Sequence, residues 1–124
     1  MRILLDTHVL LWWLGDDAQL GPEARLVIAD GGNEVFVSAV SIAEIAIKRS
    51  QGKLTAPSEL LTVLAEEGFQ ELPLLSSHAA ELENLPWHHR DPFDRLLVAQ
   101  ARVEGLTLAT HDRHLAQYDV PVTS

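Results

Sequence analysis

Short apolar runs alternate with helical segments along this chain, and that alternation constrains its fold more than any other feature. Strands are predicted at residues 2–5, 34–38, 69–74 and 106–110, with a last edge strand over residues 120–123. Strands that are separated by helices form a parallel sheet whose two faces are covered by those helices. We therefore predict an α/β fold with a central parallel sheet of four to five strands flanked by helices on both faces.

Capping signals predict where the helices begin and end. Helices are expected over residues 7–14, 22–29, 41–50, 58–68, 76–85 and 93–104, with a short last helix over residues 113–117. Asp91 followed by Pro92 is a strong helix start, because an acidic N-cap precedes a proline in the first turn. Ser41 and Glu44 have the spacing of a capping box, which places the start of their helix at Ser41.

The charge balance limits the partners that this chain can bind. It has 18 acidic and 9 basic residues, a net charge of -9, and no cysteine. Such a charge repels phosphate, so nucleic-acid binding would need a local basic patch, a metal ion or a basic partner. The missing cysteines exclude disulfides, thiolate metal sites and cysteine nucleophiles. No apolar run approaches the roughly 20 residues of a membrane span, so we expect a cytoplasmic protein with no membrane partner.

Four carboxylates follow the predicted strands or open the helices after them. Asp6 ends the first strand, and Asp112 comes two residues after Thr110 at the end of the fourth. Glu44 and Asp94 lie near the starts of two helices. Strand ends and helix starts share one edge of a parallel sheet, and ligands bind beyond that edge. We therefore expect these four side chains to converge.

Bare carboxylates in one cleft repel one another and resist desolvation, so a cation is needed to hold them together. Oxygen-only ligands select hard ions, which makes Mg²⁺ or Mn²⁺ the expected cofactor. An ion held in this way activates water and stabilises charge on a phosphodiester. Asp6, Glu44, Asp94 and Asp112 are therefore the predicted metal-binding and catalytic residues.

Each acid also has a structural interpretation. Glu44 and Asp94 favour the dipole of their helices, Glu44 closes a capping box on Ser41, and Asp112 caps the last helix. Two other functional classes stay open at this point. One is a phosphatase or phospho-accepting domain that uses Asp6 as nucleophile, and the other is a non-catalytic interaction module on the same fold.

Four segments carry a resemblance to a known family. They are LLDTHVLLWWL at residues 4–14, VSAVSIAEIAIK at 37–48, RDPFDRLLVAQA at 90–101 and LATHD at 108–112. In this order and spacing the chain resembles the PIN-domain family, and most closely its VapC-like branch of bacterial toxins. The resemblance spans essentially the whole chain, which implies one PIN-like nuclease domain over residues 1–124.

The resemblance also implies a function and a set of partners. The acidic quartet of the family maps onto Asp6, Glu44, Asp94 and Asp112, and Thr110 matches the hydroxyl residue of its last motif. It implies endonucleolytic cleavage of RNA, with transfer RNA as one candidate substrate, that depends on Mg²⁺ or Mn²⁺. It further implies a homodimer that is inhibited by a cognate antitoxin protein.

Residues next to the quartet are expected to have supporting roles. Asp91 is predicted to act as the N-cap before Pro92. Arg95 is predicted to make a structural pairing with a nearby acid, with phosphate binding as the alternative. His88, His89 and Arg90 are predicted to be solvent-exposed loop residues, with contact to RNA when the histidines are protonated as the alternative.

Overall fold

Five parallel strands form one sheet in the computed structural model, which describes residues 1–124. The strands are β1 at Arg2–Leu5, β2 at Glu34–Ser38, β3 at Gln70–Leu72, β4 at Thr107–Ala109 and β5 at Val122–Thr123. Their order across the sheet is β3-β2-β1-β4-β5, and all four pairings are parallel. In this register Leu4 lies between Phe36 and Leu108. The predicted parallel sheet is confirmed, including the edge position of the last strand.

Helices cover both faces of this sheet. They are α1 at Thr7–Leu14, α2 at Pro22–Ala29, α3 at Ala39–Ser50, α4 at Leu60–Glu66, α5 at Ser76–Glu81 and α6 at Pro92–Glu104. Side chains of a strand alternate between its two faces, so the sheet has a buried apolar layer on each side. Ile3 and Leu5 pack in one layer with Leu10 of α1, whereas Leu4 packs in the other with Leu97 of α6. None of the helices is long and apolar enough to cross a lipid bilayer.

The start of α3 differs from the prediction. The helix begins at Ala39 and not at Ser41, because the Ser38 hydroxyl accepts the free N–H of Val40. Ser41 is then inside the helix, where its hydroxyl accepts a hydrogen bond of 3.0 Å from that of Thr7. The predicted capping box is therefore wrong, and the Glu44 carboxylate has no capping role.

Other boundaries shift for local reasons. The helix predicted to start at residue 58 begins at Leu60, and β3 ends at Leu72 before Pro73, which has no N–H to give to a sheet. The helix predicted over residues 76–85 ends at Glu81 and continues as a 3₁₀ turn, Leu82–Asn84. The helix predicted over residues 113–117 is only a 3₁₀ turn, Leu115–Gln117.

The order of the strands creates a crevice at one edge of the sheet. From β1 the chain runs to β2 and β3 on one side, and it later returns to β4 and β5 on the other side. Such a reversal leaves a crevice beyond the carboxyl ends of the two strands that flank it, here β1 and β4. The strand ends that carry Asp6 and Thr110 therefore meet at the place where α/β proteins bind their ligands.

Candidate metal centre

Asp6 lies at the carboxyl end of β1 and is almost completely buried. Its Oδ1 accepts a hydrogen bond of 2.8 Å from Val9 N–H, so it is the N-cap of α1. Its backbone N–H donates to the carbonyl of Ala109, which fixes Asp6 beside the end of β4. Burial raises the pKa of Asp6, although hydrogen bonds from the Thr110 side chain and Val9 oppose the rise. A cation beside this carboxylate would favour its charged form.

Asp94 lies in the first turn of α6, where the Asp91 cap sets its position. The Asp91 carboxylate accepts a hydrogen bond of 3.0 Å from Asp94 N–H, which confirms Asp91 as the predicted N-cap. Burial raises the pKa of Asp94 to about 7, and the negative charges of Asp91, Asp6 and Glu44 add to the rise. Asp94 is thus close enough to the other acids for their charges to oppose its ionisation.

Glu44 reaches the same place from the second turn of α3. Its side chain is 4% exposed, and its Oε2 accepts a hydrogen bond of 2.6 Å from Lys48 Nζ. That bond is the main cause of the raised pKa of Lys48. The other oxygen, Oε1, is buried without any hydrogen-bond partner. A buried carboxylate oxygen without a partner is costly, so this position fits a bound cation.

Asp112 is held by a tight turn just after β4. Its backbone N–H donates to the Thr110 hydroxyl at 3.0 Å, and its Oδ1 accepts from the backbone N–H of His114 at 2.8 Å. The Asp112 carbonyl also accepts from the N–H groups of Leu115 and Ala116, so Asp112 caps the turn that leads into the last 3₁₀ turn, as its structural interpretation predicted, although the residue directly before that 3₁₀ turn is His114. Its second oxygen, Oδ2, lies 3.1 Å from Nε2 of His89.

His89 bridges two of the acids, contrary to the prediction that it is a solvent-exposed loop residue. Its Nε2 lies 3.2 Å from Asp94 Oδ2 and 3.1 Å from Asp112 Oδ2. The three ligand-type atoms of this group are within 4.8 Å of one another. The signal that identifies it in the sequence is its position just before the Asp91-Pro92 helix start, which places it at the same sheet edge.

The hydrogen bonds of His89 decide what its ring does there. Nδ1 accepts a hydrogen bond of 3.0 Å from the backbone N–H of Asp91, so this nitrogen carries no proton. The proton of a neutral imidazole is then on Nε2, which donates it toward the two carboxylates. His89 therefore holds Asp94 and Asp112 together, and offers no lone pair to a cation on that side.

Arg95 lies next to Asp94 in sequence but points away from the acids. It is buried, and its guanidinium donates to the carbonyls of Pro86 and Leu82 and to the Tyr118 hydroxyl. The predicted structural role is confirmed, but the partners are carbonyl and hydroxyl oxygens instead of an acid. Arg95 thereby fixes the loop that carries His89.

The comparison with protein families agrees with this geometry. The family model described as PIN domain matches residues 3–121, which is nearly the whole chain. The chain belongs to the PIN-domain family. This PIN domain is 32% identical to Ribonuclease VapC22 of Mycobacterium tuberculosis over 122 residues, which cover 96% of this chain and 93% of that protein.

Solved structures share the fold of this PIN domain. VapBC2 from Rickettsia felis, crystallised with a DNA fragment from its promoter, gives a TM-score of 0.73 at 16% identity, with 99% of this chain and 98% of that chain covered. DNA-bound VapBC from Salmonella typhimurium gives 0.71 at 14% identity, with 99% and 97% covered. The PIN-like α/β architecture is therefore confirmed over essentially the full length.

Proposed function

We propose that this PIN domain is a metal-dependent endoribonuclease and the toxin of a toxin–antitoxin pair. The observation that carries the proposal is the buried, unpartnered Oε1 of Glu44, a residue whose charge also contributes to the raised pKa of Asp94, about 7. Lys48 neutralises only one oxygen of Glu44, and His89 does not prevent the raised pKa of Asp94, so these carboxylates still need a cation to be ionised together. The similarity to a protein named Ribonuclease VapC22 and to toxin–antitoxin complexes supports this function.

The donors at this site suit Mg²⁺ or Mn²⁺, because both ions prefer carboxylate oxygen. Asp6, Glu44 and Asp94 would hold the principal ion, and Asp112 would complete the site. When bound, the ion lowers the pKa of a water molecule and stabilises negative charge on the phosphodiester. The bound ion then reverses the local charge, so that this site can attract RNA although the chain has a net charge of -9.

The remaining residues of the site position these acids. His89 orients Asp94 and Asp112 through Nε2, and the Thr110 hydroxyl holds the backbone of Asp112. Lys48 neutralises Oε2 of Glu44, which leaves Oε1 for the ion. Such supporting contacts fix the orientation of metal ligands and strengthen metal binding.

The resemblance to the PIN-domain toxins implies the partners, and the charge of this site suits them. A cognate antitoxin is proposed to inhibit the enzyme by placing a basic side chain against the acids, since a cation there competes directly with the metal ion. We further propose a homodimer and an RNA substrate, with transfer RNA as a candidate. Sequencing of RNA ends after induction of the protein in cells would identify the RNA and the cleaved bond.

Substitution of the acids tests the proposed activity. Asp6→Asn and Asp94→Asn keep the size of each side chain but remove its charge, and the cleavage rate is expected to fall by more than about 100-fold, since even supporting residues of metal sites cost about 10- to 100-fold. The assay uses purified protein, total RNA and Mg²⁺, with a chelator as the second arm.

Asp119→Asn is the matched control, because Asp119 is exposed and forms no side-chain hydrogen bond or ion pair. This variant is expected to cleave RNA like the wild type. Circular dichroism shows whether each variant folds. Full activity of both folded site variants, or full activity in the presence of chelator, contradicts the proposal.

A further inference from the structure

Trp87 is the most exposed of the large apolar side chains, with 76% of its surface accessible. Tryptophan is usually well buried, because an exposed indole loses the free energy that its burial would supply. Trp87 lies in the loop between α5 and α6, two residues before His89. A single exposed apolar residue needs no explanation by itself, but the surroundings of this one are unusual.

The guanidinium of a buried arginine packs against one face of the indole ring. The guanidinium carbon of Arg95 lies 3.9 Å from the centre of the ring. Arg95 is itself 5% exposed and is held by hydrogen bonds of 2.9 Å to the carbonyl of Pro86 and 3.1 Å to the Tyr118 hydroxyl. One face of Trp87 therefore rests on an ordered group, and the opposite face is in solvent. A ring held in this way loses little conformational entropy when a second ring stacks on it.

The loop also places Trp87 beside the acidic site. A shallow open depression is lined by Trp87, His88, His89, Arg90, Asp91 and His114. His89 belongs both to this depression and to the acidic site, because its Nε2 contacts Asp94 and Asp112. Arg90 is exposed, so it supplies a free cation at this edge of an otherwise acidic chain.

We propose that Trp87 stacks on an unpaired nucleobase of the RNA substrate next to the cleaved bond, while Arg90 contacts a neighbouring backbone phosphate. This inference rests on the proposed ribonuclease function. Aromatic side chains bind single-stranded RNA in this way because every base has a π face, whereas the bases of a duplex are already stacked. The substrate class is therefore RNA with an unpaired segment at the cleavage site.

RNA is a better occupant of this surface than another protein chain. The depression has one exposed cation, Arg90, and one acid, Asp91, whose carboxylate already accepts the N–H of Asp94, so the open ring and Arg90 together offer a stacking face and a phosphate contact. An apolar protein partner would gain only the area of one ring.

A binding cycle between protein and RNA tests this contact. Both arms carry Asp94→Asn, so that the RNA stays intact, and the probe is a short labelled single-stranded RNA of mixed sequence. Trp87→Leu is expected to weaken binding roughly tenfold or more, the loss typical of one stacked base, whereas Trp87→Phe keeps most of the affinity. One abasic position in the RNA should weaken binding to Trp87 by a similar factor and have little effect in Trp87→Leu.

Leu61→Ala is the matched control, because Leu61 is also exposed but lies on α4, whose contacts are with the opposite apolar layer. It should leave RNA binding unchanged. Equal RNA binding by Trp87→Leu and its parent overturns the inference. So does a cycle in which the loss from Trp87→Leu and the loss from an abasic position are simply additive, whichever position is abasic. Loss of a dimer in sedimentation without loss of RNA binding also overturns it and assigns Trp87 to a protein interface.

These outcomes differ from a failure of the proposed function. If the wild-type protein cleaves no RNA with Mg²⁺ or Mn²⁺, the nuclease assignment fails and the stacking inference fails with it. If the wild type cleaves RNA but Trp87→Leu binds and cleaves equally well, only the stacking inference fails.

Discussion

Individual residues at the candidate metal centre are held in unfavourable protonation states by the rest of the fold. Asp94 shows this most clearly, because burial and three neighbouring acids raise its pKa to about 7 from an ordinary value of 3.8. Near neutral pH a substantial fraction of the metal-free protein therefore carries a proton on this carboxyl. Ionisation of Asp94 is unfavourable in the metal-free protein, and a bound cation would offset this cost by favouring the charged form.

The stability of the metal-free protein should fall as the pH rises from about 4 to about 7. In that interval folded Asp94 keeps a proton that the unfolded chain has released, so each rise in pH favours the unfolded state. The full effect is at most about 4 kcal/mol, since each pKa unit corresponds to about 1.4 kcal/mol. Denaturant unfolding in chelator across this range measures it. Asp94→Asn should show a flatter dependence on pH, and parallel curves for the two proteins would contradict the expectation.

Residue-level prediction from sequence succeeds where the backbone dictates the position of a side chain. Asp6 and Asp112 follow strands, so their placement at the sheet edge follows from the strand pattern alone. His89 and Trp87 lie in a loop, and their contacts depend on Arg95, whose carbonyl partners no local pattern reveals. The positions of Asp6 and Asp112 at the sheet edge were thus predictable, whereas the contacts of His89 and Trp87 were not.

Among the elements, α6 contributes most to the geometry of the site. Asp91 caps its first turn, and Gly105 ends it with a backbone φ of 68°, a conformation that favours glycine. Strong signals at both ends explain why the sequence predicts this helix well. The start of α3 is predicted less well, because Ser38 and Ser41 are both acceptable caps and only tertiary packing engages Ser41 with Thr7.

The cap of α6 should affect both stability and activity. Asp91→Ala removes the acceptor for Asp94 N–H and is expected to lower the free energy of unfolding by about 1 kcal/mol and to reduce RNA cleavage. Asp91→Asn keeps an acceptor and should retain most of the stability.

Gly105→Ala serves as the control at the other end of α6. It strains the left-handed backbone and should also destabilise by roughly 1 kcal/mol, but the cleavage rate of the folded protein should stay unchanged. Thermal unfolding and cleavage assays on all three variants separate the two effects. If Asp91→Ala and Gly105→Ala have the same activity, the cap does not position the site.

For the whole molecule, the topology determines where charge can accumulate. The sheet order brings the ends of β1 and β4 side by side, and α3 and α6 add their acids from the flanks. The parallel sheet and its helical layers were predictable from the alternation of strands and helices. The extent to which the acidic side chains are buried was not predictable, because the burial of Glu44 depends on side chains from several elements.

Divalent ions should therefore stabilise the folded protein as a whole. At a concentration 100 times the dissociation constant, Mg²⁺ or Mn²⁺ is expected to raise the free energy of unfolding by about 2.7 kcal/mol, because only the folded chain brings the ligands together. KCl at matched ionic strength should not reproduce this effect. Glu44→Gln is expected to remove most of it, and an equal gain in that variant would contradict the assigned ligand.

The assembly of one centre from residues 6, 44, 94 and 112 has a consequence for synthesis of the protein. During translation Asp6 and Glu44 are synthesised long before Asp94 and Asp112. The crevice between β1 and β4 cannot form until β4 has been synthesised as well. The proposed active site therefore stays incomplete throughout translation, and a cognate inhibitor would have that interval in which to be made.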